Sequence, residues 1–297
     1  MHYLVTGGTG FIGSALVESL LADGHFVTVL SRAPRDSSQT LEFIASLDDI
    51  PSDGRIDAVV NLAGASLAGA RWTTAYKDQI VASRLDTTQS LGALFARLEH
   101  PPEVMLSASA IGFYGHHADE SLTEASAVVP GFSQQLCARW EKAATCAVAG
   151  TETRLCLLRF GVVLDRDGGA MVEMARPFKF GVANWVGDGR QWLSWVHRLD
   201  AIAALRFLLQ RADLSGPFNI TAPQSVTSRD FCSSMKRYTR TLLTAPVPAP
   251  VIRLLVGEMA EELLLKGQRV LPARLEAAGF RFQYPLLDDA LGAILAR

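Results

Sequence analysis

Apolar positions fall into short unbroken runs separated by stretches of helical spacing. The runs are Tyr3-Leu4-Val5-Thr6, Phe26-Val27-Thr28-Val29-Leu30, Ala58-Val59-Val60-Asn61-Leu62-Ala63-Gly64, Val104-Met105-Leu106-Ser107-Ala108-Ser109 and Leu155-Cys156-Leu157-Leu158-Arg159-Phe160. Strands that are apolar throughout, rather than alternating, suit a parallel sheet covered on both faces. After the first run, Ala15, Leu16, Leu20 and Leu21 recur at helical spacing, and the pattern stops near Gly24. Residues 78–98 and 133–149 predict longer helices. This order predicts an α/β chain, a doubly wound parallel sheet of Rossmann type.

The second half reads differently. From Asp165 through Val196 the texture is irregular and rich in Gly, Trp and Phe. Pro246 to Pro250 predicts a linker, and residues 251–265 an amphipathic helix. The expected organisation is a dinucleotide-binding domain over 1–164 and 196–222, with a smaller C-terminal α/β substrate domain over 165–195 and 223–297. No internal repeat is visible.

Composition narrows the function. The 297 residues are 49% apolar and 20% charged, which excludes a disordered or collagen-like chain. The balance of 28 basic and 30 acidic residues gives −2, so no general positive field is offered to nucleic acid. Cys137, Cys146, Cys156 and Cys232 lie far apart without a CxxC pair, so neither a disulfide framework nor a metal site is expected. No apolar run approaches the roughly 18 residues that span a bilayer, and the first residues lack a secretory pattern. No membrane partner and a cytoplasmic location are expected.

The chemistry begins at Gly7-Gly8-Thr9-Gly10-Phe11-Ile12-Gly13, between the first strand and the first helix. A tight turn at Gly7, close backbone approach at Gly10 and close packing at Gly13 are what a dinucleotide pyrophosphate requires. The helix start behind them supplies free N–H groups and a positive dipole end. The second strand ends Leu30-Ser31-Arg32, where an acid would bind the ribose hydroxyls of NAD. Arg32, with help from Arg35 and a hydrogen bond from Ser31, favours a 2′-phosphate, so NADP(H) is the expected cofactor. Leu62, Ala63 and Gly64 offer small surfaces along its adenosine half.

These motifs, with Ser107-Ala108-Ser109, Phe113-Tyr114-Gly115, Arg159-Phe160-Gly161, Gly187-Asp188-Gly189, Trp195-Val196-His197 and Pro217-Phe218-Asn219-Ile220, resemble the extended short-chain dehydrogenase/reductases. The tail, from Gly267 to Leu271 and through Ala278-Gly279-Phe280-Arg281-Phe282 and Tyr284-Pro285, resembles an atypical epimerase-like, NADP-dependent branch of that superfamily. The resemblance implies a catalytic Ser109. It also implies a Tyr and a Lys spaced YxxxK, the lysine lowering the phenol from its usual value near 10. This chain has Ser133 and Cys137 at those two places. Arg84 stands where the family carries an asparagine, and its charge offers a replacement for the lysine. By the same resemblance Tyr114 is a second proton-donor candidate and Arg159 joins the cofactor contacts.

Arg176, Phe178, Arg190 and Trp192 are expected to line a substrate cavity, with Trp192, Trp195 and His197 packed together. Glu120 and Glu124 are expected on a solvated loop. The oligomeric state stays open; the resemblance implies a homodimer, paired through the two long helices, as one candidate assembly. Two functions stay open: an NADP(H)-dependent oxidoreductase or epimerase acting on a small polar, nucleotide-sugar-like substrate, and a non-catalytic NADP(H)-binding sensor.

Overall fold

The computed structural model describes residues 1–295. Its centre is a seven-stranded, wholly parallel sheet. The first five strands are β1 (His2–Thr6), β2 (Phe26–Leu30), β3 (Leu41–Ile44), β4 (Ala58–Asn61) and β5 (Val104–Ala110). Strands Arg154–Phe160 and Gly216–Ile220 complete it. From one edge the order runs Gly216–Ile220, Arg154–Phe160, β5, β4, β1, β2, β3. The chain therefore winds one way from β1 and then returns to the other side of it, and the crevice between β1 and β4 is where ligands bind in such sheets.

Helix α1 (Phe11–Ala22) follows β1, α2 (Thr74–Arg97) follows β4, and α3 (Phe132–Ala147) follows β5. On α2 the buried positions Ile80, Arg84, Thr88, Leu91, Leu94 and Phe95 recur at helical spacing, so one face is fixed against the sheet. Val5, Val29, Val60, Leu106 and Leu158 pack in the core on one face of the sheet. Leu4, Val59, Met105 and Leu157 meet α2 and residues 44–56 on the other. The continuous runs in the sequence are the direct consequence of this double cover.

The stretch read as irregular holds regular structure. Helix α4 (Gly169–Lys179) begins behind paired glycines and contains Pro177, features that mask it in sequence. The Pro246–Pro250 segment is not a linker either. Leu243–Val247 pairs in parallel with Val182–Val186, and a helix over Ala249–Val256 starts at once. The helix expected over 251–265 ends at Gly257, whose φ of 68° suits glycine, and a π-helical turn over Ala260–Leu264 follows. Strand β3 was masked by its brevity and its place at the sheet edge. A further apolar body joins Leu164, Met171, Phe178, Ala183, Trp195, Phe231, Met235, Leu287 and Leu291. Among the described residues no helix is long and apolar enough to cross a membrane.

Candidate functional site

The nucleotide end is built almost entirely from backbone. Gly7 has φ 68°, and a Cβ there would lie 2.6 Å from the Leu62 carbonyl oxygen. A Cβ at Gly13 would overlap the Gly7 carbonyl, so turn and helix close on each other only as glycines. The Gly10 N–H donates to the Gly7 carbonyl at 2.9 Å and completes the turn. Helix α1 then starts without a side-chain cap and without an acid in its first turn. Thr9 and Gly10 are exposed, Phe11 and Ile12 half-buried. The positive end of α1 faces outward beside them.

A buried polar net fixes the crevice floor. Thr6 Oγ1 donates to Asn61 Oδ1 at 2.6 Å, and Asn61 Nδ2 donates to Thr88 Oγ1 at 2.9 Å and to Ser107 Oγ at 3.2 Å. The net ties β1, β4, β5 and α2 together directly below Leu62, Ala63 and Gly64. Ser31, at the end of β2, is buried with its hydroxyl on the Ala33 carbonyl at 2.8 Å. Arg32 and Arg35 are exposed beside it, Arg35 over the Phe43 ring. The structure thus brings the glycine turn, Ser31, Arg32 and residues 62–64 to one edge.

Arg84 lies deeper, 8% exposed. Its guanidinium donates to the Ile80 carbonyl at 2.9 Å and the Ala65 carbonyl at 3.1 Å, and sits over the Trp140 ring. No carboxylate pairs with it among the described residues. Burial lowers its pKa, opposed by the nearby Cys137. Arg84, expected where the family carries an asparagine, is thus a buried cation held against Gly64, with Cys137 nearby.

At the reacting end the polar groups are engaged with one another. Ser109 donates to Glu141 Oε1 at 2.8 Å. Arg159 clasps both oxygens of Glu141, at 2.8 and 2.9 Å, and donates to the Tyr114 oxygen at 3.0 Å. Tyr114 donates onward to Asn219 Oδ1 at 2.6 Å. Tyr114 is fully buried, and burial pushes its phenol up. This corrects two expectations: Tyr114 and Arg159 serve a closed internal net and neither reaches open space. Cys137 is buried too, its thiol pushed up to about 11, so it is neutral at ordinary pH. Ser133 is half-buried at the start of α3, one turn before Cys137.

Other placements also differ from expectation. Glu124 is buried and accepts main-chain N–H groups from Asn219 and Arg274, instead of lying in solvent; Glu120 is exposed, against His117. Trp192 donates to Asp119 and lies against Arg269, Trp195 is sunk in the core, and His197 stacks on Tyr284. Burial lowers the His197 pKa. Phe178 is core, Arg176 is exposed beside Glu173, and Arg190 is exposed. Glu141 and Glu262 were given no role in the sequence, and Asn219 was quoted only as part of a family motif. An arginine inside a buried strand was the available signal for Glu141, because such a cation needs an acid.

Comparison with known proteins agrees with this architecture. Residues 3–221 match the NAD dependent epimerase/dehydratase family, and residues 247–294 match a domain of unknown function (DUF1731). The chain is 38% identical to Epimerase family protein SSP1921 of Staphylococcus saprophyticus, with 98% of each covered. It is 35% identical to Epimerase family protein SDR39U1 of Bos taurus, over the whole of both. The crystal structure of human epimerase family protein SDR39U1 with NADPH superposes with a TM-score of 0.91 at 33% identity, covering 99% of both chains. A nucleoside-diphosphate sugar epimerase from Corynebacterium glutamicum gives 0.79 at 31% identity, over 99% of this chain and 58% of that one. On sequence and fold together, the chain belongs to the NAD dependent epimerase/dehydratase family.

Proposed function

We propose that this protein is an NADP(H)-dependent oxidoreductase of a small polar substrate. The observation that carries the reading is the uncapped start of α1 behind the Gly7–Gly13 turn, with Arg32 rather than an acid at the end of β2. The site fits the cofactor: the turn leaves backbone N–H groups for a pyrophosphate, and the exposed Arg32 suits a 2′-phosphate, while Ser31, expected to help, already gives its hydroxyl to Ala33 and its N–H to Ile44. That the related human structure was obtained with NADPH supports the same assignment. NADP(H), when bound, supplies or accepts a hydride. The chain's own residues do the rest. Thr6, Asn61, Thr88 and Ser107 hold the floor rigid, Leu62 to Gly64 flank the nucleotide, and Arg84 contributes the fixed charge that a family lysine would otherwise bring. Ser109 is the hydroxyl for a substrate oxygen, released from or shared with Glu141 when that oxygen arrives.

The apolar body around Met171, Phe231 and Leu291 is, in this reading, the core of the substrate-side unit. A groove on the outer face of α2 and α3, with Leu85, Gln89, Lys142 and Cys146 on its walls, is the surface for a homodimer. Titration with NADPH and NADH, repeated for Arg32→Ala, tests the cofactor half. Tight NADPH binding whose preference over NADH disappears in the variant supports it, and binding of neither nucleotide removes it. A second reading, a non-catalytic NADP(H) sensor, is favoured by two observations: Ser109 is engaged by Glu141, and Cys137 is neutral. Substrate-dependent NADPH oxidation over a panel of carbonyl compounds and nucleotide sugars separates the two.

A further inference from the structure

The carboxylates near the reacting end differ in what they already hold. Glu141 binds Arg159 through both oxygens and Ser109 through one. Glu124 accepts two main-chain N–H groups, and Glu120 is exposed against His117. Glu262 is the exception. Its Oε2 accepts the Ser133 N–H at 3.2 Å, and no other hydrogen bond to its carboxylate is found among the described residues.

Glu262 reaches the start of α3 from a segment 129 residues downstream, and several contacts hold that segment there. Lys77 on α2 pairs with Glu258 at 2.8 Å, and Met259 packs with Trp72, Leu136 and Phe132. Gly131 makes the room: a Cβ on it would come within 3.4 Å of Glu262 Oε1. Helix α3 has no side-chain cap and no acid in its own first turn, so Glu262 is the anion at its positive end. On the inner side, a Cβ on Gly112 would lie 3.1 Å from the Ser133 Cβ and 3.7 Å from the Cys137 sulfur. Ser133 therefore stands between the two, its N–H on Glu262 and its side chain beside Gly112, one helical turn before Cys137. Ser133 contributes a main-chain N–H and a weakly acidic hydroxyl, and Cys137 a neutral thiol. Glu262 alone of the three is a carboxylate, a side chain that serves in general acid–base catalysis.

We propose that Glu262 is the proton-exchanging residue of this site, oriented by the Ser133 N–H. In the oxidative direction the substrate C–H bond breaks and its hydride passes to bound NADP. The hydroxyl O–H bond breaks with it, the carbonyl forms, and the proton goes to the Glu262 carboxylate and then to solvent. Reduction runs the same steps backward. The inference rests on the NADP(H) reading above and adds the residue that its chemistry lacks.

A carboxylate at the reacting centre favours the cationic ring of NADP⁺ over the uncharged ring of NADPH. Titration of the full-length chain with each nucleotide reads that preference without any substrate. E262Q should weaken NADP⁺ by about three- to tenfold while leaving NADPH within about twofold. E262A should give the same ratio, which guards against new hydrogen bonds from the glutamine amide. E262D keeps the charge and should keep the ratio. E261Q removes a neighbouring carboxylate that pairs with Arg253, and should change nothing. A residue that merely caps α3 would lower both affinities equally, so an unchanged ratio in E262Q and E262A overturns the proposal. If the unmodified chain binds neither nucleotide, the cofactor reading fails and this one with it. If it binds both and the ratio does not move, this one fails alone.

Discussion

The two ends of the candidate site are built by opposite means. At the nucleotide end, backbone does the work: a glycine turn, an uncapped helix start and exposed arginines leave donors open. At the reacting end, side chains do it, and they are closed on each other through Ser109, Glu141, Arg159, Tyr114 and Asn219. An open set of donors marks a place for an anion. A closed set marks a scaffold, and it leaves Arg84 and Glu262 outside.

The largest effect is expected where the closed end is broken. Arg159→Met strands the buried Glu141 carboxylate and should cost about 3–5 kcal/mol in denaturant unfolding. A loss below about 1 kcal/mol would show that the net does not hold the fold. Alkaline pH probes the same end. Cys137 and Cys156 ionise at about 11 in the folded chain against an ordinary 9.0, because both are buried. The unfolded chain therefore loses those protons first. Stability should be complete below pH 9 and fall as pH rises toward 11, by on the order of 2 kcal/mol for each thiol. Equilibrium unfolding of C137S and C156S across that range should show a flatter decline.

The open end should respond in binding more than in stability. Gly13→Ala pushes a methyl into the Gly7 carbonyl, with an expected cost of about 1–3 kcal/mol and at least about tenfold weaker NADPH binding by fluorescence titration. Arg32→Ala, on the surface, should leave unfolding unchanged and reduce the preference for NADPH over NADH about tenfold, near 1.4 kcal/mol. Smallest is Lys77→Ala, which loosens the segment carrying Glu262. Its partly exposed ion pair should contribute about 1 kcal/mol or less, visible as a slight fall in melting temperature.

The open end was legible in the sequence because its signals are local. Gly7 to Gly13 and Ser31-Arg32 are each contiguous, and each sits next to an apolar run that names the strand before it. The five long runs gave five of the seven central strands. Leu41–Ile44 escaped because it is short and lies at the edge, and Gly216–Ile220 was quoted for its family motif without being read as a strand. The closed end was only half legible. Ser109, Ser133 and Cys137 were found by their places in a family pattern, but the partners of Ser109 and Tyr114 were not, since Glu141 and Asn219 lie 32 and 105 residues away.

The sequence by itself determined the parallel sheet, the glycine turn and the absence of an acid after β2, because period, small residues and local charge act within a few positions. Only the tertiary structure decided which polar groups are free. Whether a tyrosine donates a proton or braces a core depends on burial and on partners across the chain, and folding assigns both. It buried Tyr114 against Asn219 and Arg159, and it carried Glu262 to the helix start at Ser133.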